Sequence, residues 1–201
     1  EDAWLAQIDE WKREYPLTYY PQEGVIMPQA VIEAIYEVTN GEAICAADVG
    51  QHQMWLAQYY KFRHPRSHIS SGGLGAMGFG FPAAIGAAVG RPDRQVWAVT
   101  GDGGFQMNAQ ELATVKTYDI PVKIAIINNS YLGMVRQWQQ LFYQGHYSHS
   151  DLHDNPDFVK LAEAYDVPAL RVTKPEELLP ALRKAADHPG PFLLDIHVAE
   201  E

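Results

Sequence analysis

Two apolar runs, Gln95-Val-Trp-Ala-Val-Thr100 and Val122-Lys-Ile-Ala-Ile-Ile127, stop abruptly at polar turn formers: Gly101-Asp102-Gly103-Gly104 after the first and Asn128-Asn129 after the second. The stretch between them, 107–118, has helical spacing, and Asn108 followed by Glu111 predicts a capping box that opens a helix there. Strand, helix, strand of this length is a right-handed crossover between parallel neighbours. Both strands then point the same way and deliver Asp102 and Asn129 to one carboxyl edge of a sheet, where ligands of open α/β sheets bind. A carboxylate and an amide carbonyl are hard oxygen ligands that suit octahedral Mg²⁺ far better than zinc. The glycines leave room for a diphosphate to approach backbone N–H groups, so the two strand ends read as a metal-diphosphate site.

The rest of the chain repeats this alternation. Strand-like runs lie at 43–47, 168–172 and 192–197, and helical patterns at 28–39, 54–60, 82–89, 157–165 and 175–186. Pro28 suits a first helical turn, and the small residues of 82–89 permit close packing on a sheet. The expected fold class is α/β, a doubly wound and largely parallel sheet flanked by helices. One long irregular stretch, 141–156, reads as a functional or mobile loop. The 201 residues suffice for one domain with its own core, assigned to 23–201. Residues 1–22 read as a connector: they have helical spacing but neither an initiator Met nor a signal-peptide layout, which points to an internal start in a longer polypeptide.

Composition narrows the function classes. Acidic residues outnumber basic ones 25 to 15 for a net charge of −10, so nucleic acid is a poor partner. No apolar stretch approaches the ~18 residues of a membrane span. Cys45, alone of its kind, falls inside an apolar run where it reads as a buried small hydrophobe, and the lack of a disulfide framework fits a reducing compartment.

Four stretches carry a resemblance: Asp48-Val-Gly-Gln-His-Gln-Met-Trp55, Ser71-Gly-Gly-Leu-Gly-Ala-Met-Gly-Phe-Gly-Phe-Pro82, Gly101-Asp-Gly-Gly-Phe-Gln-Met-Asn-Ala-Gln-Glu-Leu112 and Asn128-Asn-Ser-Tyr-Leu-Gly-Met-Val-Arg-Gln-Trp138. The arrangement of GDG, helix and NN resembles the thiamine-diphosphate (ThDP) fingerprint. The segments QHQMW of the first stretch and GMVRQW of the fourth are similar to the C-terminal ThDP-binding domain of the acetohydroxyacid (acetolactate) synthase catalytic subunit, a resemblance that runs from about residue 16 to the end.

The resemblance assigns roles. Asp102, the Asn129 side-chain oxygen and the Tyr131 backbone carbonyl hold Mg²⁺, and Gly103 and Gly104 offer N–H groups to phosphate; Gly104 departs from the more usual serine, losing a hydroxyl contact. Val49, Gly50, Gln51 and His52, between a strand and a helix start, contact the diphosphate end, although a lone His there is also a common cap or surface residue. The Gly75 carbonyl and Met77 N–H bond the pyrimidine, and the Met77 side chain wedges between the cofactor's rings to keep it bent. Met134 and Trp138 line the substrate channel. A plain packing loop competes for 73–78, and a capped turn for the Asp102 and Asn129 pair.

Two tempting motifs are set aside. Gly73-Leu-Gly-Ala-Met-Gly78 satisfies G-x-G-x-x-G, but 61–68 is polar and Pro-broken and Ile69 alone makes no strand, so a dinucleotide fingerprint is not expected. His146, His149 and His153 lie in the irregular stretch with no Cys nearby and read as solvated loop residues, not a metal cluster.

The activity implied by the resemblance is decarboxylation of pyruvate and condensation with a second pyruvate or 2-oxobutyrate, toward branched-chain amino acids. It further implies FAD on a middle domain, a pyrimidine-activating glutamate from the N-terminal domain of a neighbouring subunit, a homo-oligomer, and a cytoplasmic location, or a plastid one in a plant, while a regulatory subunit stays open. On that account the 201 residues alone are inactive. The rivals are a separate ThDP-binding subunit of a 2-oxoacid decarboxylase and a catalytically silent cofactor-binding fragment.

Overall fold

The computed structural model describes residues 1–200; Glu201, the last residue of the expected domain, lies outside the described residues. Strands β1 (Ile44–Ala47), β2 (His68–Ser70), β3 (Val96–Gly101), β4 (Val122–Asn128), β5 (Ala169–Val172) and β6 (Phe192–His197) form one sheet in the order β2-β1-β3-β4-β6-β5. Every pairing is parallel. The helices are α1 (Asp2–Glu14), α2 (Pro28–Thr39), α3 (Gln51–Tyr59), α4 (Gly80–Gly90), α5 (Asp102–Gln106), α6 (Leu112–Thr117), α7 (Gly133–Phe142), α8 (Phe158–Ala164) and α9 (Pro175–Asp187).

Side chains alternate between two buried layers. Cys45, Ala47, Trp97, Val99, Ala125 and Ile127 pack with Ile32 and Ile35 of α2, Leu56 of α3 and Leu182 of α9. On the other face Ile44, Ala46, Val96, Ala98, Ile124 and Ile126 meet Phe81 of α4, Leu112 of α6 and Phe158 of α8. Burial on both faces is why these strands read as continuous apolar runs. It also pins register: slipping β3 by one residue would exchange Trp97 and Val99 with Val96 and Ala98 between layers, overpacking one side at roughly 1–3 kcal/mol per misfit. Gly101 is thereby held opposite Ile127, so Asp102 leaves β3 next to Asn128, the last residue of β4. The chain turns from β1 toward β2 and from β3 toward β4, in opposite directions, so the β1/β3 boundary is a topological switch point.

Local signals set several ends. Pro28 occupies the first turn of α2, which closes on Asn40 in the left-handed region at φ 49°. Asp157 caps α8 by accepting from the Val159 and Lys160 N–H groups, each at 3.2 Å. α1, within the expected connector, buries none of its residues.

The structure corrects four expectations. The capping box does not form: helix α5 starts at Asp102 itself, a 3₁₀ turn spans Ala109–Glu111, and no side chain caps it. Asn108 instead donates to the Gly78 carbonyl at 2.6 Å, and Glu111 accepts from the Thr114 hydroxyl at 2.8 Å. Helix α3 begins at Gln51, so Gln51 and His52 lie in its first turn rather than before a helix at 54. Ile69 does belong to a strand: β2 is a three-residue edge whose pairing to β1 supplies the order that side chains do not. Finally, α7 runs to Phe142, into the start of the stretch expected to be irregular.

Candidate cofactor site at the carboxyl edge of the sheet

One narrow cleft of about 30 Å³ opens at the β1, β3 and β4 strand ends, lined among others by Val49, Gly50, Gln51, His52, Met77, Asp102, Gly103, Gly104, Asn129 and Tyr131. Of the sequence-predicted residues, Gly75, Met134 and Trp138 stay outside it. Gly75 sits above it: at φ +63° it turns the loop so that a Cβ there would meet Val49 Cγ1 at 3.9 Å. Trp138 is 56% exposed on α7, a helix with no buried residue.

Asp102 is the buried anion of the cleft. It is 1% exposed, and burial pushes its carboxyl up to about 6, opposed by the Asn155 amide and by the Gly103, Asp102 and Ser130 backbone. A carboxylate stripped of water in this way gains most from a cation. The facing loop is tightly braced. Asn129 Oδ1 accepts from the Tyr131 N–H at 3.2 Å, and Asn129 Nδ2 donates to Gln51 Oε1 at 3.3 Å. Asn128, the other member of the pair, points away from the cleft, donating to buried Asp195 at 2.8 Å and accepting from the Ser130 N–H. An isolated antiparallel bridge between Tyr131 and Asp151 closes the loop's outer side.

His52 is 6% exposed, and its Nε2 is buried with no hydrogen-bond partner. Burial draws its pKa down to about 4, with a hydrogen bond to the Asp48 backbone opposing the shift. A neutral imidazole with one unsatisfied nitrogen beside a buried carboxylate is what a polar ligand would complete. Glycines form the wall around these groups. A Cβ on Gly101 would lie 2.9 Å from His52 Nδ1, and one on Gly133 2.0 Å from Gln51 Oε1. The donor set therefore fits a diphosphate-bound divalent cation: a carboxylate, an amide and a carbonyl oxygen, with no sulfur among the residues that line the cleft except Met77.

Sequence reasoning missed three contributors. Asp48, 1% exposed, accepts from the Gly78 N–H at 3.1 Å, the Gly80 N–H at 3.4 Å and the Thr100 hydroxyl at 3.2 Å. Asn108 reads in sequence as a helix cap and Asn155 lies outside the motifs; Asn155 donates to Asp102 and accepts from Gln106 Nε2 at 2.6 Å. Only its polarity marks Asn155 in the sequence. Of the three loop histidines, His153 pairs with Asp151 at 2.8 Å and His149 Nδ1 with the Ser148 hydroxyl at 2.7 Å.

A sheet whose adjacent strand ends offer a buried aspartate and an asparagine loop beneath a glycine-rich strap defines a ThDP-binding domain. Residues 48–196, which contain the whole cleft, match the family described as thiamine pyrophosphate enzyme, C-terminal TPP binding domain, and the chain belongs to that family. Within it the chain is similar to acetolactate synthases. Acetolactate synthase 1, chloroplastic, of Nicotiana tabacum is 50% identical over 206 residues, 99% of this chain and 31% of that protein. The acetolactate synthase large subunit of Parasynechococcus marenigrum is 50% identical over 197 residues, 98% of this chain and 32% of its own length. That of Corynebacterium glutamicum is 48% identical over 204 residues, 98% and 33% respectively. The chain thus spans about a third of the length of the curated relatives it matches.

Proposed function

We propose that the chain is the ThDP- and Mg²⁺-binding part of an acetolactate synthase, joining a decarboxylated pyruvate to a second pyruvate or to 2-oxobutyrate. The observation that carries the reading is the meeting, in one cleft, of Asp102 from the end of β3 and Asn129 from the end of β4 with Met77 as the facing wall. In this reading Asp102, the Asn129 oxygen and the Tyr131 carbonyl hold Mg²⁺. The Gly103 and Gly104 N–H groups, with Val49, Gly50, Gln51 and His52, cradle the diphosphate. The loop at Gly75 and Met77 takes the pyrimidine, Met77 keeping the cofactor bent. When bound, ThDP supplies the electron sink for decarboxylation, and the protein binds, bends and shields it.

Met134 and Trp138 are proposed as channel wall. The exposure of Trp138 supports a role completed by another protein surface, as does the absence of a glutamate among the described residues lining the cleft. That surface is the N-terminal domain of a neighbouring subunit, in a homo-oligomer that carries FAD on a middle domain and accepts a regulatory subunit. Residues 1–22 serve as the connector. Bacterial and chloroplastic relatives support a cytoplasmic or plastid location. No helix among the described residues is long and apolar enough to cross a membrane.

The test is a colorimetric acetolactate assay with saturating ThDP, Mg²⁺ and pyruvate, run on the full-length gene product and on these 201 residues alone. Acetolactate from the former and none from the latter is expected. Release of acetaldehyde without acetolactate would favour a 2-oxoacid decarboxylase, and steady turnover by the short chain would remove the dependence on a second domain.

A further inference from the structure

Gly78 is held from both sides. Its N–H donates to Asp48 Oδ2 at 3.1 Å, and its carbonyl accepts from Asn108 Nδ2 at 2.6 Å. Neither contact belongs to a helix or sheet ladder. Asn108 stands in the break between α5 and the 3₁₀ turn, and gives up a cap to reach a loop 30 residues away. The glycine is required: φ is +84°, and a Cβ would strike the Asn108 amide nitrogen at 2.6 Å and Met107 Cβ at 3.0 Å. Asp48 extends the same clamp, taking the Gly80 N–H at 3.4 Å and the Thr100 hydroxyl at 3.2 Å. It thus ties the glycine-rich strap to the end of β3. Immediately before the clamped glycine comes Met77, whose Cε lies 3.9 Å from where a Cβ on Gly103 would be.

We propose that Asp48 and Asn108 are positioning residues that fix the Gly78 peptides and so hold Met77 against the Gly103 wall, setting the ring end of the cofactor and not its diphosphate end. The physical need is rigidity behind the wedge. A loop with glycines at 72, 73, 75, 78 and 80 has little stiffness of its own, and a side chain that must press on a bent ligand needs a backbone that does not yield. The proposal rests on the reading of Met77 as that wedge.

The experiment compares two ligands by calorimetry in the full-length protein, both with Mg²⁺: ThDP, which has rings, and inorganic pyrophosphate, which has none. Asn108→Asp keeps the side-chain shape, removes the donor and sets a carboxylate against the Gly78 carbonyl. It should weaken ThDP binding by roughly tenfold, the scale of one buried hydrogen bond left unmade, while pyrophosphate affinity stays within about twofold. Asn108→Ala and Asp48→Asn, checked for a cooperative thermal transition, should do the same. Equal losses for both ligands, or no loss for either, would overturn the proposal. Met77→Ala separates the two levels. If it lowers ThDP affinity while the Asn108 and Asp48 variants do not, the clamp fails and the wedge stands; if it has no effect, the wedge itself is wrong.

Discussion

Asn155 Nδ2 reaches across from the segment that precedes α8 and donates to Asp102 Oδ2 at 2.7 Å, fixing the carboxylate that faces the cleft. On the proposed reading, this bond holds the carboxylate in place for the cation. Removing such an outer partner typically costs 10–100-fold in metal affinity. Asn155→Ala should therefore raise the Mg²⁺ concentration that half-saturates ThDP binding by roughly tenfold or more. A titration of Mg²⁺ at fixed ThDP reads this directly, and an unchanged midpoint would leave Asn155 a mere loop tether.

Gly104 makes a second test, because its departure from the more usual serine has a structural counterpart. A Cβ at this position would lie 2.0 Å from Asp48 Oδ2 and 2.9 Å from its Cγ, inside any tolerable contact. Adding the serine back should thus not restore a phosphate contact. Gly104→Ser should lower thermal stability by the ~1–3 kcal/mol of an overpacked core position and weaken ThDP binding. Pairing it with Asp48→Gly vacates the space but leaves the Gly78 and Gly80 N–H groups and the Thr100 hydroxyl without their acceptor, so the double variant should be no more stable than the single one. A single variant as stable as the parent would mean that the Asp48 side chain moves aside freely.

Trp138 links packing to specificity. In a full-length enzyme carrying this domain, Trp138→Leu should reduce the preference for 2-oxobutyrate over pyruvate as second substrate, since one methylene contact is worth ~1–3 kcal/mol of discrimination. ThDP affinity should change little, because the residue lies outside the cofactor cleft. Competition between the two oxoacids gives the product ratio. An unaltered ratio with activity retained would remove Trp138 from the channel.

Lys123 gives a pH signature independent of the site. Its amine is buried beneath the His188 and Gly190 carbonyls, each at 2.5 Å, and burial draws its pKa down to about 8. An unfolded lysine titrates near ~10.4. Between those values the unfolded chain binds a proton that the folded chain does not, so this group adds stability as pH rises from about 8 to about 10. Urea midpoints at both ends of that window should climb in the parent relative to Lys123→Met. A constant difference between the two would show that the amine stays charged in the fold.

The legible part of the fold was the part held by side chains. Strands such as β4, apolar on both faces, and α2, with Pro28 at its start, carry their own signatures. What escaped was held by backbone or by distant partners. β2 is three residues of edge pairing with exposed or half-buried side chains. The start of α5 contains Gly103 and Gly104, poor helix formers that the strand end nonetheless places in a helical turn. Asn108 looked like a cap by spacing, but its partner is Gly78. At the site, Asp102, Asn129, His52 and Met77 were readable and do share one cleft. The steadying roles of Asp48, Asn108 and Asn155 were not, because Asp48 and Asn108, though inside motif stretches, and Asn155, outside them, all act on partners at least 30 residues away.

In the proposed function this chain binds ThDP through a divalent cation held by Asp102 and Asn129. Calorimetric titration of ThDP into the 201-residue protein, with Mg²⁺ and then with EDTA, tests it most directly when repeated on Asp102→Ala. Binding with Mg²⁺, none with EDTA, and none by the variant under either condition is the expected result. Undiminished affinity in Asp102→Ala, or affinity indifferent to Mg²⁺, would mean that no cation held by Asp102 binds the cofactor.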